Sequence, residues 1–316
     1  MAAPDMTVTR SGQVNGGGDA LALFLKVFAG EVLRAFRTKT KTADKHMIRT
    51  IQSGKQASFP AWGIGSGGYH TPGTMLVGSS VNHNERIVNI DGLLVADRFL
   101  ANIDEAMNHY DVRSILAEDT ADFLGQTWDK NVFRKIAQAA RASATVTGLP
   151  GGSVIAGGAT VETDADDLYD ALLATAQTFD EKNIPESDRY VALRPEQFYL
   201  LLNAAKVINQ DYTDGTNGGV NTGKIRQVAG LQIVSSNNVP DSTVAASGVT
   251  TYNGVYDDVV ALAWHKSAVG TVKLMDLAVE SEYLIQNQGW LLVAKYAMGT
   301  DILRPEAAIE ISKAVS

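Results

Sequence analysis

The sequence predicts an α+β protein, and three observations lead to that fold class. Apolar residues recur at three- and four-residue spacing from about residue 111 to residue 141, which is typical of one long helix. Shorter apolar runs, typical of buried strands, occur at residues 190–193, 231–234, 259–264 and 307–311. Helices and strands do not alternate strictly along the chain, so a doubly wound parallel sheet is not favoured.

The composition indicates a folded chain without a cysteine or metal centre. Of its 316 residues, 45% are hydrophobic and 20% are charged, which is enough to bury a sizeable core. The formal net charge of −8 argues against a surface that follows nucleic acid throughout, because phosphate binding needs a positive field. Cysteine is absent and the five histidines form no H-E-x-x-H motif, so neither a disulfide nor a metal site is expected.

Residues 20–36 are predicted to form an amphipathic helix whose apolar stripe begins with Leu21, Leu25 and Phe28. Charged residues interrupt this segment, so it is not expected to cross a membrane. No apolar run follows a basic start, as a signal peptide requires, so the protein is expected to stay in the cytoplasm where it is made. The stripe can pack either on the chain's own core or on another subunit.

A glycine-rich segment lies between two extended arms. Gly63, Gly65 and Gly68 match G-x-G-x-x-G, but no buried strand precedes them and residues 69–73 cannot open a helix, as a dinucleotide site requires. A loop as long as residues 51–91 is typical of a functional segment. We therefore interpret it as an arm that reaches a neighbouring molecule. Its candidate contact residues are Phe59, Trp62, Tyr69 and Met75, because aromatic residues are enriched where proteins meet.

A second glycine-rich segment resembles a phosphate-binding loop only in part. Residues 218–224 match G-x-x-x-x-G-K, but Ile225 stands where Ser or Thr must bind magnesium. The surrounding residues are turn-forming, and no G-x-S-x-G motif is present. The sequence therefore predicts no catalytic residue and no cofactor.

The remaining elements follow from their patterns. The helix over residues 111–141 would be roughly 45 Å long. Its predicted apolar face includes Phe123 and Leu124. A strand is predicted at residues 93–99, a helix at 165–182, a helix beginning at Pro195 and a strand at 290–297.

Several blocks of sequence, in the same order across nearly the whole chain, resemble the major capsid protein of T-odd-type short-tailed bacteriophages. The blocks are residues 23–28 (LFLKVF), 53–55 with 59–60, 90–94 (IDGLL), 106–113 (AMNHYDVR), 267–274 (SAVGTVKL), 294–299 (AKYAMG) and 303–308 (LRPEAA). Residues 142–165 and 203–256 depart from the pattern in loop length and composition.

The resemblance implies the fold shared by tailed-phage and herpesvirus capsid proteins. The implied parts are an N-terminal arm (1–50), an extended loop (51–91), a peripheral domain with a long spine helix (92–141), an axial domain (142–265), a return to the peripheral domain (266–298) and a C-terminal strand of the axial domain (299–316). The glycines would let the extended loop bend over an adjacent subunit.

The function implied by the resemblance is structural and not enzymatic. The chain would self-assemble as hexamers and pentamers into an icosahedral head that encloses double-stranded DNA, so that it would reside in the virion. The implied partners are a scaffolding protein during assembly, a portal protein at one vertex and packaged DNA, which would be contacted non-specifically. The alternatives are an encapsulin-like shell of a cellular compartment and an enzyme that binds a nucleotide with a glycine-rich loop. The long loop and the missing catalytic signatures favour a shell.

Overall fold

The computed structural model describes residues 40–76, 78–103, 112–204, 218–219, 224–225 and 227–313. The chain divides into two compact units. The first contains Gly92–Trp128 and Leu274–Met298, and the second contains Lys41–Asp91, Asp129–Lys273 and the chain from Gly299 onward. Both helices and sheets are present, which confirms the predicted α+β class.

The helices and strands follow one another along the chain in a mixed order. They are β1 (Met47–Thr50), β2 (Gln56–Trp62), β3 (His83–Asn89), β4 (Leu94–Ala101), α1 (Val112–Ala140), β5 (Ser153–Ala156), α2 (Ala165–Glu181), β6 (Arg189–Leu193), α3 (Pro195–Leu202), β7 (Gly218–Gly219), β8 (Lys224–Ile225), β9 (Gln227–Val228), β10 (Leu231–Ser235), β11 (Val259–His265), β12 (Val269–Leu284), β13 (Gly289–Ile302) and β14 (Ala308–Ser312).

The larger sheet belongs to the second unit and has the strand order β5-β14-β11-β6-β10-β9. Strands β6 and β14 are buried along their whole length, which explains why both were predictable as apolar runs. Glu310 of β14 is buried too, and Arg141 binds both of its carboxylate oxygens, at 2.7 and 2.6 Å. This bidentate pair compensates a charge that would be costly if it were buried alone.

The second sheet has the order β1-β12-β13-β4. Strand β13 includes the predicted residues 290–297 and extends beyond them at both ends. Strand β12 was not predicted from the sequence. Its 16 residues exceed the usual length of a strand, and their apolar members are neither continuous nor strictly alternating.

The long helix α1 confirms the prediction for residues 111–141. It contains 29 residues, which corresponds to about 43 Å. Leu124 is buried in a cluster of the first unit with Tyr296 and Met298. The expectation that Phe123 also faces a core is wrong, because its side chain is 53% exposed. Successive residues point about 100° apart around a helix, so Phe123 and Leu124 do not share one face.

The shorter helices begin where the sequence indicates. Asp164 caps α2, since its Oδ1 accepts a hydrogen bond from the Asp166 amide at 2.8 Å. Pro195 occupies the first turn of α3, where its missing N–H leaves no hydrogen bond unmade. Within the described ranges no helix is long and apolar enough to cross a membrane.

Candidate intersubunit interface

Strands β2 and β3 form an antiparallel hairpin, as the two extended arms in the sequence predicted. The ladder runs from Gln56 opposite Asn89 to Trp62 opposite His83. It continues one step further, because the Gly63 amide donates to the Asn82 carbonyl at 2.8 Å. The rings of Trp62 and His83 lie 5.4 Å apart at the end of the ladder. We call the paired part, residues 56–62 and 83–89, the hairpin root, and residues 63–82 the hairpin tip.

One face of the hairpin root is buried against other residues of the second unit, to which the hairpin itself belongs. The buried cluster consists of Ala57, Val88, Val272 and Leu303, with Ile51, Phe59 and Ile90 packed against it. Alternation along a strand turns every second residue towards this cluster, so the hydrophobic pattern fixes the register of the root.

Polar contacts on the same face of the root, further along strand β3, hold it against the loop that follows α1. The Asn84 side-chain amide donates to the Thr145 carbonyl at 2.9 Å, and Arg86 Nε donates to Thr145 Oγ1 at 3.2 Å. Asn82 donates to the Thr147 carbonyl at 3.2 Å. The root is therefore fixed to its own subunit by both apolar and polar contacts.

The hairpin tip has a different character. It contains no Asp, Glu, Lys or Arg. Four of its large apolar side chains, those of Ile64, Tyr69, Met75 and Leu76, are 77–108% exposed. Exposed apolar groups concentrated on one uncharged segment are typical of a surface that another molecule covers.

Two glycines of the tip permit backbone conformations that other residues would not easily adopt. A Cβ atom on Gly63 would lie 3.0 Å from the Asn82 carbonyl oxygen, so glycine permits the close pairing there. Gly73 has φ +89°, in the left-handed region that favours glycine, within the turn closed by the Thr74 amide and the Thr71 carbonyl at 3.2 Å. The G-x-G-x-x-G motif leads into irregular chain and not into a helix, which agrees with the rejection of a dinucleotide site.

The predicted contact residues fall into three groups. Trp62, Tyr69 and Met75 are exposed on or beside the tip. Phe59 is half-buried against the subunit's own core cluster. Leu21, Leu25 and Phe28 lie outside the described residues. Sequence reasoning omitted three exposed tip residues, Ile64, Leu76 and Val81, although their position within an uncharged glycine-rich segment was a usable signal.

A groove of about 430 Å³ opens beside the hairpin root. Its apolar lining includes Met47, Phe59, Trp62, Leu149 and Leu303, and its polar lining includes Arg86, Arg304 and Glu306. The Arg304 Nε atom donates to Glu306 Oε1 at 2.7 Å, so part of this charge is already paired within the chain. Apolar and charged residues therefore line the groove together.

The Asp91 carboxylate, just beyond the hairpin root, has a structural partner. Asp91 follows the root, and the Tyr252 hydroxyl donates to its Oδ2 atom at 2.5 Å. Burial raises the pKa of Asp91, while the hydrogen bond from Tyr252 and the charge of Lys135 act in the opposite direction. Burial likewise raises the pKa of Tyr252. Structural ion and hydrogen-bond networks perturb pKa values as active sites do, and this pair ties the root to the residues around Tyr252.

The second glycine-rich motif does not have the structure of a phosphate-binding loop. Gly218–Gly219 and Lys224–Ile225 pair as a short antiparallel ladder, so the lysine lies in a strand instead of opening a helix. In the described parts of the chain no group of three or more His, Asp or Glu side chains could hold a metal ion.

Comparison with known proteins agrees with this geometry. A model of the Gp10A-like family, described as major capsid protein, matches residues 58–312. The major capsid protein of Escherichia phage T7 is 35% identical, over 93% of this chain and 93% of its own length. The capsid structure of cyanophage P-SCSP1u matches with a TM-score of 0.82 and 43% identity, over 99% of this chain and 100% of the other. The mature capsid of bacteriophage PhiM1 matches with a TM-score of 0.77 at 19% identity, over 96% of both chains, and so supports the fold alone.

These matches support a phage capsid protein over both alternatives, the cellular compartment shell and the nucleotide-binding enzyme. They confirm the tailed-phage capsid fold, a structural instead of an enzymatic role, and residence in the virion capsid by self-association into a shell. The chain belongs to the Gp10A-like family of major capsid proteins.

Proposed function

We propose that this major capsid protein assembles as hexamers and pentamers into the icosahedral head of a short-tailed phage, and that the hairpin tip is its principal intersubunit contact. The observation that carries the proposal is the contrast within one hairpin. The root is buried and hydrogen-bonded to its own subunit, whereas the uncharged tip exposes Ile64, Tyr69, Met75 and Leu76. A neighbouring copy that covers the tip removes this apolar area from water.

The domain division implied by the resemblance belongs to this proposal. Residues 1–50 act as an N-terminal arm and 51–91 as the extended loop. Residues 92–141 and 266–298 form the peripheral domain, and 142–265 with 299–316 form the axial domain. In this division Leu21, Leu25 and Phe28 of the arm make intersubunit contacts together with Phe59, Trp62, Tyr69 and Met75 of the loop.

Three further partners are proposed with the assembly. A scaffolding protein directs shell formation, a portal protein occupies one vertex, and packaged double-stranded DNA is contacted non-specifically. The net charge of −8 supports weak contact with DNA, because an acidic subunit repels phosphate at long range.

Expression of the chain together with its scaffolding protein tests the proposal. We expect hollow shells of many copies, seen as a fast-sedimenting peak and as particles in electron micrographs. Monomers to tetramers alone under assembly conditions would contradict it. The absence of DNA-filled particles in an infected host, with empty shells still present, would contradict the proposed packaging role alone.

A further inference from the structure

Residues 41–46 form a short turn that is held by buried polar contacts. The turn lies within the proposed N-terminal arm and directly follows residues 1–40, which we call the N-terminal segment. We call residues 41–46 the clasp. Thr42 and His46 within it are 0% and 2% exposed. Burial of polar groups is costly unless their hydrogen bonds are made, so this turn needs specific partners in the body of the subunit.

The first partner is the long helix α1. Asp129, which is fully buried, accepts hydrogen bonds from the Lys41 amide at 2.8 Å, the Thr42 amide at 3.2 Å and the Thr42 hydroxyl at 2.6 Å. One turn earlier, a Cβ atom on Gly125 would lie 2.9 Å from Thr40 Oγ1. Glycine is unfavourable inside a helix, and at this position it leaves room for the incoming chain.

The second and third partners are strands β11 and β12. Trp264 Nε1 of β11 donates to the Lys45 carbonyl at 2.8 Å. His46 Nδ1 donates to the Thr42 carbonyl at 2.7 Å, and His46 Nε2 lies 2.8 Å from Thr271 Oγ1 of β12. Three separate elements therefore hold one short turn.

The contacts of His46 define its protonation state. A carbonyl only accepts, so the ring hydrogen lies on Nδ1, and Nε2 accepts from the Thr271 hydroxyl. The Thr300 hydroxyl then donates to Thr271 Oγ1 at 2.9 Å. A second proton, placed on Nε2, would require the Thr271 hydroxyl to turn away and donate to Thr300 Oγ1, and it would place a charge in a buried site.

The electrostatic surroundings favour the neutral ring. Burial is the main cause that lowers the pKa of His46 to about 4. The charges of Lys273 and Lys266 also lower it, while the hydrogen bond to the Thr42 carbonyl and the charge of Asp44 raise it.

We propose that the clasp is a positioning device, in which Asp129 and His46 fix the point where the chain before Lys41 joins the body of the subunit, and in which a second proton on His46 opens the clasp. Its importance for assembly rests on the proposed function, in which the N-terminal segment contacts neighbouring subunits. The clasp itself is a property of the single subunit.

Hydrogen exchange of unassembled, full-length subunits tests the positioning role. We expect the Lys41 and Thr42 amides to be protected at pH 7.5, and Asp129→Asn to speed their exchange at least about tenfold, because a buried charged acceptor is lost. Thr42→Val, which removes one donor and keeps the shape, is a milder second variant that should speed exchange of the same amides. The matched control is Asp119→Asn on the same helix, where the carboxylate is exposed and 3.9 Å from Arg98. Equal exchange in wild type and both clasp variants would overturn the proposal.

Hydrogen exchange measured at pH 5.5 tests the trigger, by which we mean the opening of the clasp when His46 takes up a second proton. A neutral buried ring favours the closed clasp, and stability is lost as the pH falls below the usual pKa of 6.5 towards the lowered one. After correction for the pH dependence of intrinsic exchange, clasp opening should rise about tenfold from pH 7.5 to pH 5.5. His46→Gln should abolish this rise. The control His265→Gln, at a half-buried histidine whose pKa burial also lowers, should keep it. Persistence of the rise in His46→Gln would overturn the trigger.

Measurements of shell yield distinguish a failure of the clasp proposal from a failure of the proposed function. If Asp129→Asn opens the clasp by hydrogen exchange and reduces shell yield relative to Asp119→Asn, both are supported. If it opens the clasp and shells form normally, the proposed contact role of the N-terminal segment is wrong and the clasp stands.

Discussion

The hairpin root and the hairpin tip belong to the same two arms of chain, yet they differ in how far contacts within the subunit cover them. In the root, Val88 is fully buried and Asn84 and Arg86 hydrogen-bond to the loop after α1. In the tip, Tyr69 and Met75 are exposed to solvent. One subunit therefore contains partners for the root and for Asn82 at the end of the tip, but it leaves the large apolar side chains of Tyr69 and Met75 uncovered. The tip has the composition of an interface, which supports the proposal that another copy supplies its partners.

This difference has an energetic counterpart. Packing of the root contributes to the free energy of unfolding of the single subunit, because its cluster is buried before assembly. Covering of the tip contributes to the free energy of association. Stability and assembly should therefore be separable by substitutions in these two parts of the hairpin and its cluster.

Deletion of residues 63–78 is expected to have the largest effect on assembly. The deletion removes most of the exposed apolar tip but leaves the paired root and its cluster. We expect shells to disappear while the circular dichroism spectrum and the melting curve of the subunit stay close to wild type. Normal assembly of the deletion variant would show that the tip is not an intersubunit contact.

Two leucine substitutions sharpen the comparison to single side chains. Leu303 is 5% exposed within the root cluster, so Leu303→Ala should lower the free energy of unfolding by about 2–5 kcal/mol. Leu76 is 77% exposed, so Leu76→Ala should change it by no more than about 0.5 kcal/mol.

Urea unfolding of unassembled subunits measures both values, and sedimentation measures shell yield. The expected pattern is a loss of stability in Leu303→Ala and a loss of assembly without a loss of stability in Leu76→Ala. A large destabilisation by Leu76→Ala would mean that the tip packs on its own subunit.

Much of this contrast was predictable from the sequence, because it depends on local patterns. The alternation in residues 86–90 indicated β3, and the glycines beside Trp62 and Tyr69 indicated an exposed, reaching segment. What fixes the root was not predictable. Asn84 meets Thr145 across 61 residues of sequence, and no periodicity connects two such positions.

The clasp was missed for a related reason. His46 was considered only as a metal ligand, and nothing in its neighbourhood in the sequence points to Thr271. Phe59 was predicted as an intersubunit contact from its aromatic character, and the structure shows that it is half-buried against the core cluster of its own subunit.

The smallest expected effect concerns covalent cross-links between subunits, because neither the root nor the tip is expected to form one. Some capsid proteins of this fold are joined by isopeptide bonds from a lysine in the extended loop, but no lysine lies between Lys55 and Lys130. Lys55 is at the base of the root, where its carbonyl accepts the Ile90 amide at 2.9 Å, so it is poorly placed to follow the tip onto a neighbour. The absence of cysteine excludes intersubunit disulfides as well.

Shells must then be held by many non-covalent interfaces that act together, because each subunit has several neighbours. Particles boiled in denaturant should therefore give a single band near 33.7 kDa on a gel. A ladder of multimers would place a covalent bond outside the tip and contradict the idea that buried area alone joins the subunits.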